Sequence, residues 1–246
     1  MSQSIVWVSG ATHGMGAGLA RLASGEGARV VNLDRIPSDE FETVTFDLAK
    51  PETLRKVGAH FREVFEKGDV SRATLLVVGH ASIGHGVHSL VDLDHYEASL
   101  VANGVAPIML GTLFLRSLPD DVAGGLMMMS SGAAAWTVLG QSSYSACKCA
   151  IEGWTRVIRD EVARERRNVW ITAVRPGIVD TPSARETATA DPALYPRAQA
   201  MGENLKKYGV SIETAARRIW DALPPPADAR IVSFDGKPER SPEFIP

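Results

Sequence analysis

The amino-acid sequence predicts an α/β fold: one doubly wound parallel sheet of about seven strands, with helices on both faces. Two observations predict it. Short apolar runs alternate with longer helix-compatible stretches along the chain, as expected when each strand is followed by a crossover helix. Three glycines, Gly10, Gly14 and Gly16, follow the first apolar run and precede the first helical stretch. That places them where parallel α/β sheets bind ligands, beyond the carboxyl end of a strand.

Taken in order, residues 5–8 read as the first strand. Residues 17–26 read as a helix stopped by Gly25 and Gly27, and 29–33 as the second strand. A short third strand is expected at 44–46. An amphipathic helix follows at 51–67, with Pro51 in its first turn. The fourth strand is placed at 75–78, a long helix at 94–118 and the fifth strand at 126–129. A second long helix is expected at 143–166, then strands at 170–174 and 230–234. Residues 181–208, rich in Ala, Pro and polar side chains, read as a helical insertion that serves as a lid. They are too few for a domain, so residues 1–246 are read as one domain.

The chain of 246 residues is 45% hydrophobic and 22% charged, enough apolar material for a substantial core. A net charge of -3 without a basic block argues against a nucleic-acid partner. No uncharged apolar run is read as reaching the roughly 18 residues of a membrane span. The start of the chain lacks the basic and apolar regions of a secretory signal, so a soluble cytoplasmic protein is expected. Cys147 and Cys149 are expected to be reduced thiols on a helix.

Glycine lets backbone N–H groups approach a phosphate closely, and the start of the following helix favours negative charge. The spacing here is G-x-x-x-G-x-G. Asp34 ends the second strand, where a carboxylate accepts hydrogen bonds from adenosine ribose hydroxyls and repels a 2′-phosphate. It favours NAD over NADP, against the contrary features Arg35 and His13. Tyr144 and Lys148 lie four apart in a predicted helix, on one face. An ammonium beside a phenol lowers the phenol's pKa, and a phenol so tuned can exchange a proton during hydride transfer.

Together Ser9–Gly16, Asp34, Asn103, Ser131, Tyr144, Lys148 and Arg175-Pro176-Gly177 resemble, in order and distance, the short-chain dehydrogenase/reductase family, over the chain to about residue 182. The resemblance implies a Rossmann-type, single-domain oxidoreductase moving a hydride between a nicotinamide cofactor and a secondary alcohol or ketone. It gives Tyr144 the role of acid/base and Lys148 that of its tuner and nicotinamide-ribose holder. Ser131 becomes the substrate-polarising hydroxyl, and Asn103 part of a water-linked proton path. Implied cofactor contacts are Gly10, Thr12, His13, Gly14, Met15, Gly16, Asp34, Arg35, Asp47, Leu48, Gly79, His80, Ala81, Pro176, Gly177, Ile178 and Thr181, besides Tyr144 and Lys148. A homo-oligomer, tetramer or dimer, is implied too.

Residues 132–141 lead from Ser131 to the tyrosine helix and are expected to line a substrate pocket with Ser131 and Tyr144. Trp136, Val138 and Leu139 there suggest a hydrophobic or ring-bearing substrate. His80, His85 and His88 lack the spacing of a metal site, so no metal is expected. The chain departs from the family in having Gly79-His80-Ala81-Ser82 where N-N-A-G is usual, which puts local rigidity in question. The charged, proline-bearing tail after Gly236 also differs. Two alternatives are a catalytically silent NAD(P)-binding sensor or partner subunit, and an epimerase or lyase using NAD transiently.

Overall fold

The computed structural model describes residues 3–79 and 86–234. Strand β1 (Gln3–Ser9) enters α1 (Gly14–Gly25), followed by β2 (Arg29–Asp34), β3 (Glu42–Thr45), α2 (Leu54–Glu66) and β4 (Val70–Val77). Helix α3 (Leu93–Leu100) continues through a wide π turn (Val101–Val105) into α4 (Ala106–Ser117). Then come β5 (Ala123–Met129), α5 (Ser142–Arg164), β6 (Val169–Arg175), α6 (Pro182–Ala188), α7 (Ala198–Tyr208), α8 (Ile212–Asp221) and β7 (Ile231–Ser233). The strands form one parallel sheet in the order β3-β2-β1-β4-β5-β6-β7.

Alternation along each strand sends side chains to two cores, one per face. Ile5 and Trp7 of β1, with Leu75, Leu126 and Ile171, pack against Phe61 of α2 and Phe114 of α4. Val6 and Val8, with Leu76, Met127 and Val174, pack against Leu19 and Ala20 of α1 and Ala216 and Ile219 of α8. Burial on both faces explains why the strands read as continuous apolar runs. The chain leaves β1 towards β2 on one side and β4 on the other. That switch opens a crevice at the carboxyl ends of the strands.

Several boundaries differ from the sequence reading. Helix α1 starts at Gly14, earlier than 17, because the glycine turn itself supplies its first residues. Strand β4 starts at Val70; its exposed entry residues, Ser71 and Arg72, concealed it. The stretch 51–53 forms a short 3-10 turn ahead of α2. The long helix at 94–118 is split by the π turn. Helix α8 was not expected: only Ala215, Ala216 and Ile219 of its residues are buried, a weak apolar stripe in a charged segment. Ser211 caps it by accepting a hydrogen bond from the N–H of Thr214 at 3.2 Å. The would-be Cβ of Gly18 lies 2.9 Å from the Ala216 Cβ, so α8 rests directly on α1.

The membrane reading also needs correction. Residues 98–115 carry no charge, and the rod Leu93–Ser117 is long and apolar enough to cross a bilayer. Its character has another cause here: more than half of its most apolar stretch is buried inside the fold, with Leu110 and Phe114 in the core.

Residues 181–208 form an excursion stitched at its base. The N–H of Val210 donates to the carbonyl of Ile178 at 3.0 Å, and the N–H of Asp180 to the carbonyl of Val210 at 2.9 Å. Helices α6 and α7 lie between these bonds and pack together.

Candidate active site

A cleft of about 1570 Å³ runs across the carboxyl ends of the strands, larger than a pocket for one small ligand. One end is built by the glycine turn. Gly10 has φ +76° and a would-be Cβ 2.9 Å from the Cα of Gly79, so the ends of β1 and β4 close together only without side chains. A Cβ on Gly16 would fall 2.0 Å from the carbonyl oxygen of Gly10, which excludes any other residue in this geometry. Gly14, with φ +61°, has nothing within 4 Å of its would-be Cβ and faces the cleft. This open start of α1 has the form and polarity of a phosphate cradle.

The Ser9 hydroxyl accepts from the N–H groups of Val78 and Gly79, each at 3.0 Å, pinning the end of β4 to β1. The rigidity questioned at Gly79 is therefore supplied from Ser9. His80, Ala81 and His85 lie outside the described residues, and His88 is exposed in a short turn. At the end of β2, Asp34 Oδ2 accepts from the Thr12 hydroxyl at 2.9 Å and Oδ1 from the N–H of Ile36 at 3.2 Å. Each oxygen keeps a lone pair free for a further donor. Thr12, an expected cofactor contact, stands beside the cleft with its hydroxyl given to Asp34. Gly10, His13, Gly14, Met15, Gly16, Asp34, Arg35, Asp47, Leu48 and Gly79 line it.

The other end carries the hydroxyl groups. Ser131 follows β5 and Tyr144 sits in the first turn of α5; both side chains line the cleft, and the Ser131 hydroxyl is near enough to act on the phenol. Pro176, Gly177, Ile178 and Thr181 follow β6 along the floor, and Trp136 and Val138 wall the same end. Lys148 is buried at 3% exposure behind Tyr144. Its Nζ donates to the carbonyl of Met129 at 2.8 Å and lies 5.3 Å from the phenol ring centroid. Asn103 is fully buried in the π turn, where its amide donates to the Ser99 hydroxyl at 3.3 Å. Ser143, beside Tyr144, donates to Ser99 at 3.2 Å. Gly104 lets α5 approach this turn, since a Cβ there would sit 2.9 Å from the Cys147 Sγ.

Burial dominates the electrostatics at this end of the cleft. Burial pushes the Tyr144 phenol up to about 12, opposed by the Ser131 hydrogen bond. Lys148 was expected to pull it down. The ammonium is directed at a backbone carbonyl, and burial draws its own pKa down to about 8. Desolvation is therefore the largest influence on both groups in the protein alone.

A further buried cluster escaped the sequence reading. Glu152, one turn beyond Lys148, accepts from the Ser130 hydroxyl at 2.5 Å and from Arg175 Nε and Nη2, each at 2.7 Å. It ties α5 to the ends of β5 and β6, next to Ser131 and Pro176. The excursion at 181–208 adds Thr187, Tyr195, Arg197, Met201, Asn204 and Tyr208 to the cleft wall. The only available signals were the i, i+4 step from Lys148 to Glu152 and the recurrence of residues 197, 201, 204 and 208 at helical spacing.

The short chain dehydrogenase family model matches residues 4–192. The chain belongs to this family. It is an oxidoreductase by that membership, and the family binds nicotinamide cofactors. The chain is 27% identical over 243 residues to the Mus musculus dehydrogenase/reductase SDR family member 7B, covering 91% of this chain and 71% of that protein. It is 31% identical over 176 residues to the Mycobacterium tuberculosis putative oxidoreductase SadH, covering 70% and 56%. In fold it is similar to a Burkholderia cenocepacia short chain dehydrogenase solved in complex with NADP (TM-score 0.73, 21% identity, 94% and 88% covered). It is likewise similar to actinorhodin polyketide ketoreductase with NADPH (TM-score 0.76, 19% identity, 96% and 98% covered).

Proposed function

We propose that this dehydrogenase interconverts a secondary alcohol and a ketone, with NAD favoured over NADP. The observation that carries the reading is the Ser131–Tyr144 hydroxyl pair on the wall of a cleft whose other end is a glycine cradle. The bound nicotinamide supplies the hydride acceptor or donor. The chain's residues handle the substrate oxygen and its proton. In the reducing direction the hydride goes to the carbonyl carbon, the C=O π electrons move to oxygen, and the phenol proton of Tyr144 neutralises that oxygen. A phenol protonated at neutral pH suits this acid role. Ser131 donates a hydrogen bond where negative charge develops. In the oxidising direction the same groups take the hydroxyl proton, and the Lys148 charge beside the ring favours the phenolate.

Asp34 supports NAD: its free lone pairs face the cleft at the adenosine end, where a 2′-phosphate would meet its charge. The apolar wall of Trp136 and Val138 supports a hydrophobic or ring-bearing substrate. A homodimer or tetramer is proposed on the exposed Val105, Met109 and Val157 of the α4–α5 side. The test is a spectrophotometric screen of secondary alcohols and ketones with both nicotinamides. Tyr144→Phe is expected to lower turnover by about 10²-fold or more, with NADH binding by fluorescence unchanged. Near-normal turnover in that variant would reject the assignment.

A further inference from the structure

We infer that α7 selects anionic substrates: the guanidinium of Arg197 receives a carboxylate carried away from the reacting carbon. The inference rests on the reaction proposed for the same cleft. Met201, Asn204 and Tyr208 of α7 and Arg197, the residue that precedes it and accepts the first helical hydrogen bond, recur at steps of four, three and four and so form one stripe. All four line the cleft.

The stripe faces the substrate end. Tyr195, two residues before Arg197, is buried at 3% exposure against Gly140, in the segment joining Ser131 to Tyr144. A Cβ on Gly140 would lie 2.5 Å from the Leu194 carbonyl oxygen and 3.2 Å from the Tyr195 ring. The start of α7 is therefore held beside the wall that carries Trp136 and Val138. The carboxylates lining the cleft, Asp34 and Asp47, lie at the adenosine end.

Charge then points to the ligand. Among the cleft-lining residues of 131–144 and 178–208, Arg197 alone carries a formal charge. The other arginine of the excursion, Arg185, is engaged by Asp180 at 2.6 and 2.8 Å. The Arg197 side chain has no ion-pair partner among the described residues. Its charge is felt at the Tyr195 phenol, where it opposes the effect of burial. A planar guanidinium matches a carboxylate through two parallel hydrogen bonds, whereas a cationic substrate would be repelled. The favoured substrate is an organic acid with a secondary hydroxyl or keto group, the two joined by an apolar skeleton that lies on Met201 and Trp136.

The probes are straight-chain acids from hydroxybutyrate to hydroxydecanoate, each with its hydroxyl on the penultimate carbon, together with their methyl esters. Wild-type kcat/KM should favour at least one acid over its ester by about tenfold. Arg197→Ala should remove that preference through KM, raising the KM of the acid far more than that of its ester and leaving the nicotinamide KM as it is. Acids and esters used equally by the wild type, or a variant that loses nicotinamide affinity instead, would overturn the inference. Binding of decanoate and methyl decanoate, followed by Trp136 fluorescence with a Trp136→Phe control, separates the two readings. Arg197-dependent decanoate binding without turnover of any alcohol keeps the anion site and rejects the reaction. Equal binding of acid and ester rejects the anion site whatever the turnover.

Discussion

Replacing Glu152 with alanine removes the acceptor for three hydrogen bonds, one from Ser130 and two from Arg175. Glu152 is 4% exposed and Arg175 8%, so the substitution takes a carboxylate away from a buried guanidinium. Breaking a buried pair in this way costs about 3–5 kcal/mol, because the remaining charge keeps its desolvation penalty. A domain is stable by about 5–15 kcal/mol in total, so this is a large fraction. For a chain of this size the loss corresponds to a fall of roughly 6–20 °C in Tm. Urea unfolding followed by far-UV circular dichroism reads it directly. The exposed Arg21–Glu40 pair, at 2.5 Å, is the control: Glu40→Ala should leave the midpoint where it is. Glu152→Leu combined with Arg175→Met should recover most of the loss, since no charge is then stranded. A Glu152→Ala penalty below about 1 kcal/mol would show that water reaches Arg175 and would refute the reasoning.

Two further outcomes can be measured. Asp34→Ala should raise the ratio of kcat/KM with NADP to that with NAD by about tenfold or more, because the charge opposing a 2′-phosphate is gone; an unchanged ratio would detach Asp34 from cofactor choice. Lys148 has a folded pKa of about 8, below its ordinary 10.5, so between those values the unfolded chain binds more protons. The stability it contributes is fully present above 10.5 and is lost as pH falls towards 8. Urea midpoints should therefore rise with pH across that window in the wild type, and the rise should be smaller in Lys148→Met. Parallel profiles would mean that Lys148 is solvated.

Much of this site was legible because its signals are local. Tyr144 and Lys148 share a helix face by spacing alone, and Gly10, Gly14 and Gly16 sit between a strand and a helix that composition reveals. Glu152 was not legible, since its partners Ser130 and Arg175 come from two other elements and meet it only once β5, α5 and β6 are packed. The wide turn around Asn103 has no compositional mark: Val101–Val105 reads as ordinary helix. The bond from Thr12 to Asp34 was not legible, because the two meet only once β1 and β2 pair. The burial of Tyr144 was not legible either. Sequence shows that a cation is near but does not show how much water the fold removes, and here burial decides the direction. Helix α8 was lost among charges because three small or medium side chains suffice to seat it on α1.

The two hydrogen bonds joining residues 178–180 to Val210 have an evolutionary corollary. They make the intervening stretch behave like a cartridge: its two ends meet at one point, so the sheet is indifferent to how long the detour is or what it contains. Closing a longer loop adds only about 0.6 kcal/mol per doubling of its length. Descendants of this chain can thus trade α6 and α7 for other segments, and acquire new chemical tastes, while the sheet beneath stays as it is.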